Sequence, residues 1–209
     1  MAEAGLVHVV DDDPAVRDSL EFLLQTAGLP ARTYASATEF LHAAKDLTTG
    51  CVLTDVRMPD IDGLTLQKRL AELGSHLPVI VMTGQGDVPI AVQALKTGAV
   101  DFLQKPVDDE HLLTVLHEAL RASEEARQIT AVRAEIAVRL QTLTPRERDV
   151  LERLVEGQPN KVIAQDLGTS PRTVEVQRAR VMEKMAAKSL PDLVRMAMEA
   201  GILPPRSSH

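Results

Sequence analysis

The feature of this chain that most constrains its fold is a regular alternation of short apolar runs and amphipathic helical stretches. Five strand-like runs lie near residues 6–10, 31–34, 51–55, 78–83 and 101–105, and helix-like stretches follow at 14–27, 36–44, 64–73, 88–96 and from about 108. Parallel strands need a crossover connection, which is usually a helix. The sequence therefore predicts an α/β domain with a five-stranded, doubly wound parallel sheet and helices on both faces.

Four of the predicted strands end at side chains that can bind ligands or take part in a reaction. Asp11-Asp12-Asp13 follows the first strand, Asp55 ends the third, Thr83 ends the fourth and Lys105 ends the fifth. Ligands bind at the carboxyl edge of an open parallel sheet, so these groups should meet there. Because neighbouring carboxylates repel one another, we expect Mg²⁺, which prefers oxygen ligands, to offset the repulsion. The set predicts metal-assisted phosphoryl transfer onto Asp55, with Lys105 and Thr83 contacting the transferred oxygens.

Composition excludes several classes of protein. The 209 residues contain no apolar run approaching the ~20 residues of a membrane span, and Met1-Ala-Glu-Ala-Gly5 does not resemble a secretory signal. The single cysteine, Cys51, lies in an apolar run, so we expect its side chain to be buried. One cysteine fits a protein of the reducing cytoplasm. The histidines are scattered along the chain, which argues against a zinc site. Residues 1–125 carry 9 basic and 20 acidic side chains, whereas residues 144–209 carry 11 and 9. Nucleic-acid contact is thus disfavoured in the first half and permitted in the last part.

A long helical connector is predicted between the two halves. Residues 107–144 contain neither proline nor glycine. Their apolar residues recur at a/d-like spacing, which Arg133 interrupts. A flexible linker would be rich in Gly and Ser. Two interpretations stay open, a weak coiled-coil seam and a helix packed on its own domain.

The last part predicts four short helices. Thr144-Pro145-Arg146-Glu147 has the pattern of a capping box. Asn160 is predicted to cap a short second helix, Ser170 a longer third helix and Ser189 a fourth. A tight turn at 168–170 joins the middle two, as in a helix-turn-helix unit.

The third of these helices has two predicted faces. Val174, Val181 and Met185 share one face at helical spacing and should be core, with Gln177 beside them. The opposite face should meet the major groove of DNA, where Glu accepts from cytosine and Val or Ala touches a thymine methyl. That face carries Arg172, Glu175, Val176, Ala179, Arg180 and Glu183, and phosphate contacts are predicted for Lys161, Thr173, Arg178 and Lys184.

The first part resembles the receiver domain of two-component response regulators. Asp11-Asp12, Asp55, Thr83 and Lys105-Pro106 match in order, and VMTGQGDVPIAVQALKTGAVDFLQKP, residues 81–106, is similar to the FixJ branch. The resemblance implies that Asp55 is the phosphoacceptor and that Mg²⁺ is bound by Asp12, Asp55 and the Arg57 carbonyl, with Asp11 acting chiefly through a bound water. It also implies a switch pair, Thr83 and Phe102, and a cis Lys105–Pro106 bond. Asp13 is an extra acid beside the metal pair.

The last part contains the Leu143-Thr-x-Arg-Glu opening, Asn160-Lys161-x-Ile163-Ala164 and Thr173-Val174. In these motifs it resembles the LuxR/NarL-type DNA-binding domain of the same branch. It departs from that family at Gln177, where the family usually has His. Together the resemblances imply a receiver domain at 1–122, a helical linker at 123–142 and a DNA-binding domain at 143–209. The implied function is transcriptional regulation by phosphorylation, with no enzymatic activity beyond self-phosphorylation. The implied partners are a histidine kinase, promoter DNA, RNA polymerase and, after phosphorylation, a second copy of the chain.

Two alternatives stay open. In one, the receiver is a plain dimerisation or docking module and the output does not depend on phosphorylation. The other is a phosphatase of the haloacid dehalogenase type, which also combines a strand-end Asp-x-Asp, a Thr, a Lys and a later acidic pair. Pro14 directly after the second aspartate and the unexplained Asp55 argue against the phosphatase. Its residues would be Asp11, Asp13, Thr83, Lys105 and Asp108-Asp109.

Overall fold

A computed structural model describes residues 5–84 and 88–202, with side chains from 92 onward after the gap. The chain divides into two compact units, residues 1–128 and 129–209. The division falls within one long helix, Asp109–Gln141, so this helix contributes residues to both units.

The first unit contains the predicted five-stranded parallel sheet. Its strands are β1 (Val7–Val10), β2 (Ala31–Tyr34), β3 (Cys51–Asp55), β4 (Val79–Thr83) and β5 (Asp101–Gln104). All neighbouring strands are parallel, and their order is β2-β1-β3-β4-β5. This order confirms the doubly wound prediction and places the topological switch point between β1 and β3.

Five helices connect and follow these strands: α1 (Pro14–Thr26), α2 (Ala37–Ala44), α3 (Gly63–Glu72), α4 (Val88–Lys96) and α5 (Asp109–Gln141). The first three begin at side-chain caps. Asp13 accepts a hydrogen bond from the Ala15 amide, and Ser36 and Asp62 cap α2 and α3 in the same way. A cap satisfies amides that have no partner inside the helix, which fixes where each helix starts.

The two faces of the sheet bury separate apolar clusters. Because side chains alternate along a strand, Val52 joins one cluster while Cys51 and Leu53 join the other. The first cluster includes residues of α2 and α3, such as Phe40 and Leu66, and the second includes residues of α1 and α5. Helices therefore cover both faces, as predicted.

The second unit contains α6 (Pro145–Val155), α7 (Asn160–Asp166), α8 (Pro171–Met185) and α9 (Leu190–Glu199). The predicted capping box is present, since Thr144 accepts from the Glu147 amide and the Glu147 carboxylate accepts from the Thr144 amide. The prediction that Asn160 caps α7 is wrong. Pro159 is the N-cap residue, without a side-chain cap bond, and Asn160 is already helical.

The long helix α5 is buried at its ends and exposed in its middle. Leu112, Val115 and Ala119 lie in the core of the first unit, and Ile136 and Leu140 lie in that of the second. All residues from 125 to 135 are exposed. Ion pairs along the helix, including Arg127–Glu124 at 2.7 Å and Arg139–Glu135 at 2.6 Å, suit a helix that is largely solvated on all sides. Within the described residues, none of the helices combines the length and apolarity of a membrane span.

His8 is a fully buried histidine on β1. Its Nδ1 lies 3.1 Å from the Tyr34 hydroxyl, and its ring lies 5.4 Å from the Phe40 ring. Burial, and secondarily the nearby Arg32 charge, lowers the pKa of His8 to about 4. Between about pH 4 and 6.5, His8 is therefore neutral in the folded protein, whereas the same side chain binds a proton in the unfolded chain.

We predict that this difference makes the first unit lose stability in mild acid. The contribution of His8 is complete above about pH 6.5, and it is lost as the pH falls towards about 4, on the order of 2–3 kcal/mol in all. Urea unfolding at pH 7, 6 and 5, followed by the fluorescence of the single tyrosine Tyr34, measures it. The His8→Gln variant should lose much of the slope between pH 6.5 and 5, whereas His42→Gln, at an exposed position, should keep it. Equal slopes in wild type and His8→Gln would contradict the prediction.

Candidate functional site

The carboxyl edge of the sheet brings two buried carboxylates to one ammonium group. Asp11 follows β1 and Asp55 ends β3, so they flank the switch point, and they are 1% and 8% exposed. Lys105 follows β5, and its Nζ lies 2.9 Å from Asp11 Oδ2 and 2.5 Å from Asp55 Oδ1. The structure thus joins three of the sequence-predicted site residues from three strand ends.

Asp11 is held by hydrogen bonds on both its side chain and its backbone. The Asp13 amide donates to Asp11 Oδ1 at 2.9 Å, and Arg17 Nη1 on α1 donates to the Asp11 carbonyl at 2.7 Å. The carboxylate of Asp13 caps α1. Asp13 is not among the residues that we predicted to bind the metal ion. Sequence reasoning missed Arg17. Its position one turn into the helix that follows the acidic triplet was the available signal.

Asp55 is held equally tightly. The Arg57 amide donates to Asp55 Oδ2 at 2.6 Å, while Oδ1 faces Lys105. The start of α3 presses against the backbone of Asp55, because a Cβ atom on Gly63 would lie 2.4 Å from the Asp55 carbonyl oxygen. Glycine at position 63 permits this close approach, and it too was missed at the sequence level.

Lys105 is fixed through its backbone as well as its side chain. Its amide donates to the Thr83 carbonyl at 2.8 Å, which ties the end of β5 to the end of β4. The Lys105–Pro106 bond is cis, as predicted. Burial acts to lower the pKa of Lys105, but the hydrogen bonds to Asp55 and Asp11 outweigh it and raise the pKa above its ordinary value. The ammonium is therefore charged at neutral pH and offsets the repulsion between the two carboxylates.

Asp12 differs from its neighbours because it is exposed. It lines an open cleft of about 730 Å³ together with Arg57, Met58, Lys68 and other residues. Of the three carboxylates that we expected to cluster, Asp11 and Asp55 lie together and both contact Lys105, whereas Asp12 does not share this contact. In the described part of the chain, no three His, Cys, Asp or Glu side chains form a group that could hold a metal ion by themselves.

The available donors nevertheless fit Mg²⁺ chemically. Mg²⁺ takes oxygen ligands and usually keeps several waters, so it needs only one or two protein carboxylates. Asp11, Asp12 and Asp55 offer carboxylate oxygens at this edge, and Arg57 lines the same cleft as Asp12. The cleft that Asp12 and Arg57 line is open to solvent and has room for such waters.

The predicted switch pair occupies two different environments. Thr83, at the end of β4, is 3% exposed, and its hydroxyl lies 3.4 Å from the Gly84 carbonyl. Phe102 on β5 is 37% exposed, so its ring lies at the surface. The segment that follows Thr83 in the quoted string, residues 85–87, lies outside the described residues.

The helix-turn-helix prediction is confirmed for α7 and α8, and the two faces of α8 separate as expected. Val174, Val181 and Met185 are fully buried. Gln177 is partly buried, and its Oε1 has no hydrogen-bond partner among the described residues. Most residues predicted to face DNA are exposed, namely Arg172, Thr173, Glu175, Val176, Ala179, Arg180 and Glu183 on α8 and Lys161 on α7.

Two predicted phosphate contacts are already engaged inside this unit. Lys184 Nζ donates to Glu147 Oε2 at 2.7 Å and to the Thr142 carbonyl at 3.0 Å. The phosphate contact predicted for Lys184 stays a prediction, and in this structure the ammonium is directed to a buried carboxylate instead. Arg178 is half-buried and lies 3.5 Å from Asn160 Oδ1, a long contact that DNA could readily replace.

Two family models match the chain, one for each unit. The model described as the response regulator receiver domain matches residues 7–117, which is more than half of the chain. The model described as bacterial regulatory proteins of the luxR family matches residues 141–197.

Similar proteins cover nearly the whole chain. It is 56% identical to the transcriptional regulatory protein FixJ of Azorhizobium caulinodans, covering 98% of this chain and 97% of that protein. It is 51% identical to FixJ of Rhizobium meliloti, covering 95% and 97%. Among solved structures, the response regulator StyR superposes with a TM-score of 0.83 at 36% identity, over 93% of this chain and 98% of StyR. Full-length FixJ from B. japonicum gives 0.59 at 51% identity, over 95% and 98%.

Proposed function

Since this chain belongs to the response regulators that join a receiver domain to a LuxR-type DNA-binding domain, we propose that Asp55 is the residue through which phosphorylation controls it. As a member of this family it is a phosphorylation-activated transcriptional regulator. The observation that carries the assignment of Asp55 is the shared contact of Asp55 and Asp11 with Lys105 at the switch point. The proposed domains are 1–122 and 143–209, with 123–142 as linker.

The proposed reaction is a simple displacement at phosphorus. A carboxylate oxygen of Asp55 forms the new bond to phosphorus, and the bond between phosphorus and the donor breaks, with its electron pair leaving on the donor. The Arg57 amide and Lys105 hold the carboxylate oriented towards the edge of the sheet. Lys105 and the Thr83 hydroxyl then stabilise the negative charge of the transferred oxygens.

Mg²⁺ would be held by Asp11, Asp12, Asp55 and the Arg57 carbonyl, and it would neutralise charge on the phosphoryl oxygens when bound. The proposed donor is a cognate histidine kinase, and no reaction beyond this phosphotransfer is proposed. Such a regulator meets kinase, DNA and RNA polymerase in the cytoplasm, where we expect it to act.

Phosphorylation adds charge beside Thr83 and Lys105, and new hydrogen bonds to these groups would alter the ends of β4 and β5. We propose that Phe102, now at the surface, turns inward in response. The surface formed by α4 and β5 would then pair with a second copy of the chain, so that two helix-turn-helix units occupy two half-sites of promoter DNA.

We predict that Asp55→Asn abolishes phosphoryl uptake. The chain incubated with acetyl phosphate and Mg²⁺ should gain one acid-stable, hydroxylamine-labile phosphoryl group, measured by intact mass. Asp55→Asn and wild type in EDTA should gain none, because the first lacks the nucleophile and the second lacks the cation. Asp13→Asn is the matched control, since Asp13 caps α1 and should leave uptake intact. Full uptake by Asp55→Asn would refute the assignment.

The same variant separates the proposal from its alternative. If the receiver were a docking module with a phosphorylation-independent output, Asp55→Asn would activate a target promoter as well as wild type does. The proposal expects no activation above background from Asp55→Asn in a strain that carries the kinase.

A second prediction concerns the exposed face of α8. Val176 and Ala179 carry no charge, so changing them should alter base preference while leaving the dependence of binding on salt nearly unchanged. Glu175→Ala should relax discrimination at one base pair, worth ~1–3 kcal/mol. Lys161→Ala should instead weaken binding to every sequence and reduce the salt slope by about one phosphate contact. Titrations of selected and scrambled duplexes at several salt concentrations measure these effects. Unchanged selectivity in the Val176, Ala179 and Glu175 variants would mean that another face enters the groove.

A further inference from the structure

The C-terminal end of α8 is attached to the end of α5 by two cationic side chains. Arg139 Nη1, on α5, donates to the carbonyl of Met185, the last residue of α8, at 2.8 Å. Lys184, one residue earlier on α8, donates to the Thr142 carbonyl just after α5 and to Glu147 on α6. The two contacts run in opposite directions between the same two helix ends.

The end of α5 is also part of the apolar core beneath α8. Ile136, Leu140 and Leu143 lie in the same buried cluster as Val181 and Met185. Arg148 on α6 adds a third link, because its Nη2 donates to the Leu140 carbonyl at 3.2 Å. The last turns of α5 therefore act as a fifth helix of the second unit, although the sequence assigned them to a linker.

These contacts satisfy groups that a helix end leaves unpaired. The last carbonyls of a helix have no donor within the helix, and the partial negative charge there attracts cations. Arg139 supplies a cation and a donor at this end of α8, where Ala186 leaves the helix with a φ of 52°. The anionic partner of Lys184, Glu147, is only 4% exposed and is itself fixed by the capping box.

We propose that Arg139 and Lys184 are positioning residues for DNA recognition. By holding the C-terminal end of α8 against α5 and α6, they set the angle at which the opposite, exposed face of α8 meets the bases. They need not touch DNA themselves. The proposal rests on the proposed use of that exposed face, and it assigns a task to a segment of α5 that lies outside the helix-turn-helix.

The test compares full-length variants on two duplexes. One duplex is selected by the phosphorylated wild-type chain from a random library, and the other is a scrambled version of it. The variants are Arg139→Met and Lys184→Met, with Arg133→Met as the matched control, because Arg133 lies on the same helix and is exposed. Lys184→Arg keeps a cation that can reach Glu147 and serves as the rescue. Affinity is measured at several salt concentrations, and thermal unfolding is recorded alongside.

Arg139→Met and Lys184→Met should bind the selected duplex about tenfold more weakly while binding the scrambled duplex almost as wild type does. Their salt slopes should match wild type, and Arg133→Met and Lys184→Arg should keep the selectivity. A slope lower by about one unit, with both duplexes weakened alike, would identify phosphate contacts instead and overturn the proposal. Equal weakening on both duplexes with a lower unfolding temperature would show a purely structural role and also overturn it. Unchanged selectivity would do the same.

Two further outcomes are informative. If the methionine variants do not fold, Arg139→Gln and Lys184→Gln, which keep polar side chains at these helix ends, replace them in the same titrations with the same criteria. If the wild-type chain selects no sequence from the library, the proposed DNA recognition itself fails, which is distinct from selection that survives in every variant.

Discussion

The contact of one ammonium with two buried carboxylates organises the receiver unit. Asp11 and Asp55 are almost fully buried, and two neighbouring carboxylates in such a place would repel each other strongly. Lys105 contacts both, at 2.9 and 2.5 Å, and compensates part of that charge. The sheet order makes the contact possible, since β1 and β3 are neighbours at the switch point and the end of β5 is tied to β4 through the Thr83 carbonyl. The site is thus a consequence of topology.

The same arrangement keeps the site poised for a change in charge. Lys105 holds oxygens that Mg²⁺ would also bind in the proposed function, so ammonium and metal ion would compete for them until a phosphoryl group supplied further oxygens. The surrounding groups are rigid, because Asp11 and Asp55 each accept a backbone amide and Gly63 lets α3 press on the Asp55 backbone. A rigid frame around a charge that can be redistributed is suited to a switch.

Much of this arrangement could be predicted from the sequence, because hydrophobic periodicity and the residues that begin and end helices act locally. The alternation of apolar runs gave the parallel sheet, and the capping pattern at Thr144 gave the start of α6. Contacts between distant residues were less accessible. Nothing local indicates that Lys184 pairs with Glu147, that Arg139 reaches Met185, or that Asp12 stays exposed while Asp11 is buried. Asn160 was misassigned as a cap because its side chain suits one, whereas Pro159 already has the extended backbone that the position requires.

Calorimetric titration of the unphosphorylated chain with Mg²⁺ tests directly whether Lys105 and the metal ion compete for these carboxylates. Replacing Lys105 by Met removes a positive charge from the oxygens of Asp11 and Asp55, so Lys105→Met should bind Mg²⁺ severalfold more tightly than wild type. Lys96→Met, at an exposed position at the end of α4, is the control and should bind Mg²⁺ as wild type does. Equal or weaker Mg²⁺ binding by Lys105→Met would contradict the account, because it would mean that the ammonium and the metal ion do not share these carboxylates.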